Sequence, residues 1–481
     1  MLSGACASAG KNFNPIGFNG GESLGMAATR HVFEGLYDLD MRTHKAYEAL
    51  AEGQPVMLSD TSCEVTLREG ALFSDGTAVT ADDVVNAFSK NMSNATTGFL
   101  LDCIDSVTPK DDRTVSINLK YPMGDLLPAR LSLVKVFPAG REAELDTLPI
   151  GSGPWAYVPD GLDGESQISF VPNSNYNGQF PAEAGGMTWM VMNSNDDMRV
   201  DALRDGTVQA IEAVPSANVV ALERSGAMVE FIQGFSQPFL MFNTLKKPFS
   251  DKRVRQALFY AIDVKKLIEE HMDGHATQLT SFLPESHANY HRASTVYEHD
   301  TEKAQALLAA AGIKRLEFEL AVNNNWVADL APSIAADLAA CGITCTIAER
   351  AIRWNEFADT GRVLPYDVIL ASGDPSRFGR DPDLLLSWWY GDNVWTRGRS
   401  CWARDPRGSF DTLQGLLQAA RAASGDERQE LWNQCFDIIA DEVPLYGLFH
   451  RKLATGWQPD AVKGFRPISV AGLDFLGCTV A

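Results

Sequence analysis

Three small constellations in this 481-residue chain have residue types and spacings that could do chemistry. Gly21-Glu22-Ser23-Leu24-Gly25 fits G-x-S-x-G, the turn on which serine hydrolases present their nucleophile. That turn follows a buried strand, whereas Asn14-Pro15-Ile16-Gly17-Phe18-Asn19-Gly20 is made of turn formers. A surface loop is therefore expected, with a hydrolase built on Ser23 as a remote alternative. His271 and His275 stand four apart, which could place two imidazoles on one helix face for a metal. Gly274 interrupts them and the glutamate of H-E-x-x-H is missing, so a solvated helix end is the expectation. Gly151-Ser152-Gly153-Pro154-Trp155-Ala156 loosely imitates a dinucleotide fingerprint, but proline inside the turn points to a hinge or a turn. No catalysis, cofactor or resident metal is expected.

Aromatic residues crowd one stretch: Trp388, Trp389, Tyr390, Trp395 and Trp402. They could stack on a ligand or line an apolar pocket, or they could pack at a domain interface. The eight cysteines, Cys6, Cys63, Cys103, Cys341, Cys345, Cys401, Cys435 and Cys478, are scattered without a C-x-x-C pair. That spacing argues against a zinc ribbon or a redox motif. Their even number suits an oxidising compartment without fixing any pairing. The small residues before Cys6 faintly suggest a lipoprotein cleavage site. The basic region and apolar run of a secretory signal are missing, so Cys6 is placed in a first β-strand.

The net charge of −21 repels phosphate backbones and anionic lipid, which argues against nucleic-acid binding. No stretch approaches the ~20 apolar residues that span a bilayer, so the chain reads as soluble. Hydrophobic residues make up 45% and charged residues 21%, a balance that builds cores. The length allows about three domains of ~150 residues.

Elements that could position such groups are legible in the periodicity. Cys63–Arg68 alternates imperfectly and Val115–Leu119 cleanly, as half-buried strands do. Between them, Thr80-Ala81-Asp82-Asp83 forms a capping box ahead of the apolar positions Val84, Val85, Phe88 and Met92. Residues 35–150 thus read as an α+β unit, and the Pro/Gly-rich stretch 149–154 is a place for the chain to cross between domains. Further on, Ala304, Leu307, Leu308 and Ala311 have helical spacing, with Gly312 set to end the helix. Leu413, Leu416, Leu417 and Ala420 repeat it, as do Leu431, Cys435, Ile438 and Ile439 before Pro444.

Several segments, in order along almost the whole chain, resemble family 5 of the extracellular solute-binding proteins, the oligopeptide-, dipeptide- and nickel-binding proteins of ABC transporters. They are Asn12-Phe13-Asn14-Pro15, Val32-Phe33-Glu34-Gly35-Leu36-Tyr37 and, most recognisably, Leu67–Thr77 leading into Thr80–Val85. Gly151–Trp155, Phe242-Asn243-Thr244, Pro248–Ala257 with Ala261-Ile262-Asp263, and Val443-Pro444-Leu445-Tyr446 continue the series. The resemblance implies an α/β, two-lobed periplasmic-binding-protein-like fold (type II, cluster C) with an extra inserted α+β domain. Its segments would be 1–34, 151–242 and 450–481 for domain I, 35–150 for domain II and 243–449 for domain III. It further implies an extracytoplasmic monomer, periplasmic or lipid-anchored at the cell surface. Such a protein binds a di- or oligopeptide in an interlobe cleft and delivers it to ABC transporter permease subunits. Nickel, a metal chelate or an oligosaccharide are alternative cargoes of the same fold.

Site residues follow from the same resemblance. Peptide binders hold the ligand's amino terminus with an aspartate after a strand like Tyr366–Leu370, which makes Asp374 the candidate carboxylate, beside Gly373. A turn cap within Gly373-Asp374-Pro375-Ser376 is the competing role. The tryptophan of peptide binders is replaced here by Ala371-Ser372-Gly373. Trp354, Tyr446 and Phe449 fall where the family places cleft aromatics, and Gly21, Glu22 and Ser23 fall in a cleft-lining loop; Trp388 is added from the aromatic stretch.

Overall fold

Alternation in the Val115 segment becomes the inner strand of a four-stranded antiparallel sheet. In the computed structural model, which describes residues 1–8, 13–17, 23–162, 167–192, 196–323, 326–350 and 365–481, that sheet runs Val56–Ser59, Ser62–Thr66, Thr114–Leu119, Ile104–Pro109. Cys63 pairs with Ile117 and Val65 with Val115, so four buried side chains share one face. The helix Ala81–Met92 covers that face with Val84, Ala87 and Phe88. Its start is fixed as the capping box requires: the Asp83 carboxylate accepts from the Thr80 backbone N–H at 2.8 Å and from its hydroxyl at 2.7 Å.

The chain folds as two units, residues 1–232 with 453–481, and residues 233–452. In the first, Leu2–Cys6 lies between Met187–Val191 and Ala210–Glu212 and is parallel to both. Gln167–Pro172 and Trp155–Leu162 extend the sheet on one side. On the other, Thr455–Trp457 returns to pair antiparallel with Ala210–Glu212. Cys6 is buried in the first strand, as its setting suggested.

The Gly151–Trp155 turn packs against the end of the helix Ser23–Val32. A Cβ at Gly151 would stand 2.0 Å from the Val32 carbonyl oxygen, so only glycine fits. The most recognisable sequence segment is likewise structural. Arg68 grips both Glu34 carboxylate oxygens at 2.8 and 2.9 Å and donates from Nε to Asn177 Oδ1. Asp75 accepts from Thr77 and from Arg141.

The second unit is built on a five-stranded sheet ordered Ile343–Arg350, Leu316–Asn323, Val368–Gly373, Gln237–Phe242, Leu445–Gly447. The first three strands are parallel and Gln237–Phe242 runs against both its neighbours. That strand, expected within domain I as part of 151–242, lies in the second unit. The predicted helices are present at Thr301–Ala310, Ser409–Ala422 and Gly425–Glu442. Asp300 caps the first through Lys303 N–H, and Val443 ends the last in a left-handed conformation at φ 38° ahead of Pro444. Mixed helices and sheets give the α/β class that the sequence led us to expect.

Candidate ligand-binding site

Polar groups left without hydrogen bonds gather at one end of the second unit's sheet. In register, Gln237 faces Gly373 across the pair of strands Gln237–Phe242 and Val368–Gly373. Gln237 is fully buried, yet neither its amide nitrogen nor its amide oxygen has a partner among the described residues. Gly447 on the next strand leaves it room, since a Cβ there would lie 1.8 Å from Gln237 Oε1. Trp389 and Phe239 pack on the Gly373 side, with ring centroids 5.3 Å apart. The buried Ser281 hydroxyl is also unpartnered.

Asp374 follows directly on the strand. One carboxylate oxygen, Oδ1, accepts from the Ser376 N–H at 2.9 Å and from its hydroxyl at 2.6 Å, capping the short 3₁₀ turn Pro375–Phe378. The other, Oδ2, is buried and has no partner among the described residues. Burial raises the Asp374 pKa, opposed by the Ser376 bonds and by Arg377 and Arg380. Thus the capping role weighed against ligand binding occupies only half of the carboxylate.

After the 3₁₀ turn, Gly379 adopts φ 133°, ψ 176°, a region reserved for glycine, and sends the chain back to Arg380. The Arg380 guanidinium lies 5.2 Å over the Phe235 ring. Among the described residues, its Nε is buried without a hydrogen-bond partner and its guanidinium forms no ion pair. Burial lowers its pKa and Asp374 acts in the opposite sense. The Arg380 carbonyl accepts from His287 Nε2 at 2.9 Å, and His287 Nδ1 accepts from the Asn289 N–H, which fixes the neutral tautomer. The loop ends at Asp381, which caps the helix Pro382–Tyr390 through Leu384 N–H, while buried Asp383 pairs with Arg421 at 2.7 Å. A loop held this firmly at both ends keeps Asp374 and Arg380 in fixed places.

Trp354, Gly21 and Glu22 lie outside the described residues. Ser23 opens a helix, and its buried hydroxyl lies 3.1 Å from the Ser8 hydroxyl, a partner that cannot serve as a general base. Trp388 sits on a helix, not in the loop expected for the aromatic run, and is 8% exposed, packed on Phe378 and Trp395. Trp395 and Trp402 are buried too, so these rings pack in the interior, while Trp389 of the same stretch is half-buried on the Gly373 side. Tyr446 is buried against Phe259 and Tyr297, and Phe449 against Trp326. His271 Nε2 lies 3.0 Å from the Ser333 hydroxyl.

Unsatisfied polar groups on a loop at the carboxyl end of a strand in an α/β sheet stand where folds of this class commonly bind solutes. The model of the bacterial extracellular solute-binding proteins, family 5 Middle, matches residues 45–409, and the chain belongs to that family. It is a substrate-binding component of the family 5 type of ABC importer. Heme-binding protein A of Haemophilus influenzae is 27% identical, covering 91% of this chain and 85% of that one. A probable di/tripeptide-binding protein 5 of Pseudomonas aeruginosa is 26% identical over 86% and 84%. Among solved structures, the dipeptide binding protein of Pseudoalteromonas sp. SM9913 in complex with Met-Leu has a TM-score of 0.83, covering both chains completely at 19% identity. The expected periplasmic-binding-protein-like fold is thereby established.

Proposed function

We propose that this chain captures a short, peptide-like solute with a free amino group and that Asp374 holds the ammonium. The observation that carries the reading is the buried, unpartnered Asp374 Oδ2 on a carboxylate whose other oxygen is committed to Ser376. An unpaired buried carboxylate oxygen is costly, and a ligand ammonium relieves that cost with a charge-assisted hydrogen bond. The di/tripeptide-binding relative supports a peptide cargo, and the heme-binding one shows that the family's cargo varies. Delivery to permease subunits outside the cytoplasm, by a monomer whose domain I, II and III segments close on the ligand, completes the proposal. Closure is stabilised only to the extent that the ligand prefers the closed state.

Isothermal titration of a free-amine dipeptide and its N-acetylated form tests it. Asp374→Asn should weaken the free-amine peptide by about tenfold or more, the worth of one charge-assisted bond, and leave the acetylated form unchanged. Equal weakening of both removes Asp374 from the role. The pH dependence has a definite sign: the carboxylate must be ionised to receive the ammonium. With its pKa raised, affinity falls as pH drops through that raised value, and Asp374→Asn flattens the dependence.

A further inference from the structure

Resting on the Asp374 reading, we infer that Arg380 forms an anion subsite beside it, so that the preferred ligand carries an acidic group within one residue of its free amine. Two opposite charges on one short loop, each with hydrogen-bonding capacity unused, normally neutralise each other by pairing. Here they do not: Asp374 spends one oxygen on Ser376, Arg380 spends its ring-facing surface on Phe235, and no ion pair joins them.

Both groups are held apart by backbone, not by chance rotamers. The 3₁₀ turn Pro375–Phe378 and the glycine-only conformation of Gly379 separate them, and His287 fixes the Arg380 carbonyl at 2.9 Å. The guanidinium therefore stays seated on Phe235 with its buried Nε donor unpartnered among the described residues. A planar fork of N–H donors matches a carboxylate, and an acceptor-only oxygen matches an ammonium. A ligand head bearing both charges satisfies the two sites together, whereas a head bearing the amine alone leaves the buried Arg380 Nε unpaired. Two chemistries meet this description: an amino-terminal glutamyl or aspartyl residue with its side-chain carboxylate, and a γ-linked glutamyl residue with its α-carboxylate.

Titration calorimetry on the full chain separates the possibilities, with Glu-Ala-Ala, Gln-Ala-Ala, γ-Glu-Ala and N-acetyl-Glu-Ala-Ala as probes. At least one of the two acidic free-amine probes should bind about tenfold or more tighter than Gln-Ala-Ala, and the stronger of the two identifies which carboxylate is read. Arg380→Gln should erase that preference and leave Gln-Ala-Ala affinity within about twofold of the original. Arg380→Lys, a charge without the fork, should restore part of it. Equal binding of acidic and amide probes overturns the proposal, as does equal weakening of all probes by Arg380→Gln, which marks a structural role. If acetylation does not matter while the acid–amide difference persists, the Asp374 reading falls and the Arg380 subsite stands. Failure of every probe to bind overturns both.

Discussion

Two histidines beside the site make its surroundings sensitive to acid. His450 is buried, donates from Nε2 to the Phe282 carbonyl at 3.1 Å, and has its pKa lowered to about 4 by burial. His287 is lowered to about 4 chiefly for the same reason, with Arg380 adding repulsion. A histidine that ionises less readily folded than unfolded costs stability as pH falls from its ordinary value of about 6.5 towards 4, because the unfolded chain takes up the proton first. For His450 the loss is on the order of 2–3 kcal/mol. His450→Gln keeps a donor for the Phe282 carbonyl, so its melting temperature should fall less between pH 6.5 and 4 than that of the unaltered chain. Parallel curves for the two would show that His450 is protonated without cost. At this scale the sequence was only half legible. Asp374 could be found from the Tyr366–Leu370 strand, but Gln237 and Arg380 could not. Gln237 matters through its register with Gly373, a pairing distant in sequence, and Arg380 through a reversal at Gly379 that no periodicity reveals.

Among the elements, the most conspicuous sequence segments turn out to hold the units together. Arg255, in the helix Lys252–Ala261, is fully buried; it donates to the Phe249 carbonyl at 2.8 Å and from Nε to the Glu442 carbonyl at 2.9 Å. Its guanidinium also reaches the Glu442 carboxylate at 3.2 Å, and burial lowers its pKa to about 10. Glu442 ends the long helix Gly425–Glu442, so one side chain ties two helices and the turn before them. Arg255→Met keeps much of the side-chain bulk but strands those acceptors. It should destabilise the second unit by roughly 3–5 kcal/mol in urea unfolding; a loss below about 1 kcal/mol would mean that water replaces the guanidinium. Helices and strands were well read because their faces bury at regular intervals, as Val84 and Phe88, or Val115 and Ile117, do. The aromatic stretch was ambiguous for a related reason. Trp388 and Tyr390 lie on a helix buried nearly all round, where composition carries no facing signal.

On the scale of the whole molecule, the chain crosses between its two units twice, near residues 232 and 452, so each unit carries its own core. Unfolding is then free to proceed in two steps, and the proposed capture through Asp374 and Arg380 would protect the second unit first. The eight cysteines bear on this in a way their scattered spacing did not suggest. None is joined in a disulfide, and every one but Cys345 is buried. Cys6, Cys63, Cys103 and Cys478 lie in the first unit, and Cys341, Cys345, Cys401 and Cys435 in the second. Burial holds Cys401 up to about 11 and Cys435 and Cys478 up to about 12, so these sulfurs are poor nucleophiles until their surroundings open. Pulsed alkylation in rising urea, read peptide by peptide, should label Cys345 at once and the others in two waves, with cargo delaying the Cys341, Cys401 and Cys435 wave alone. Simultaneous labelling of all seven would show a single cooperative block. The polypeptide carries, in effect, a set of internal clocks, four in the first unit and three in the second, that time its own opening without any foreign probe.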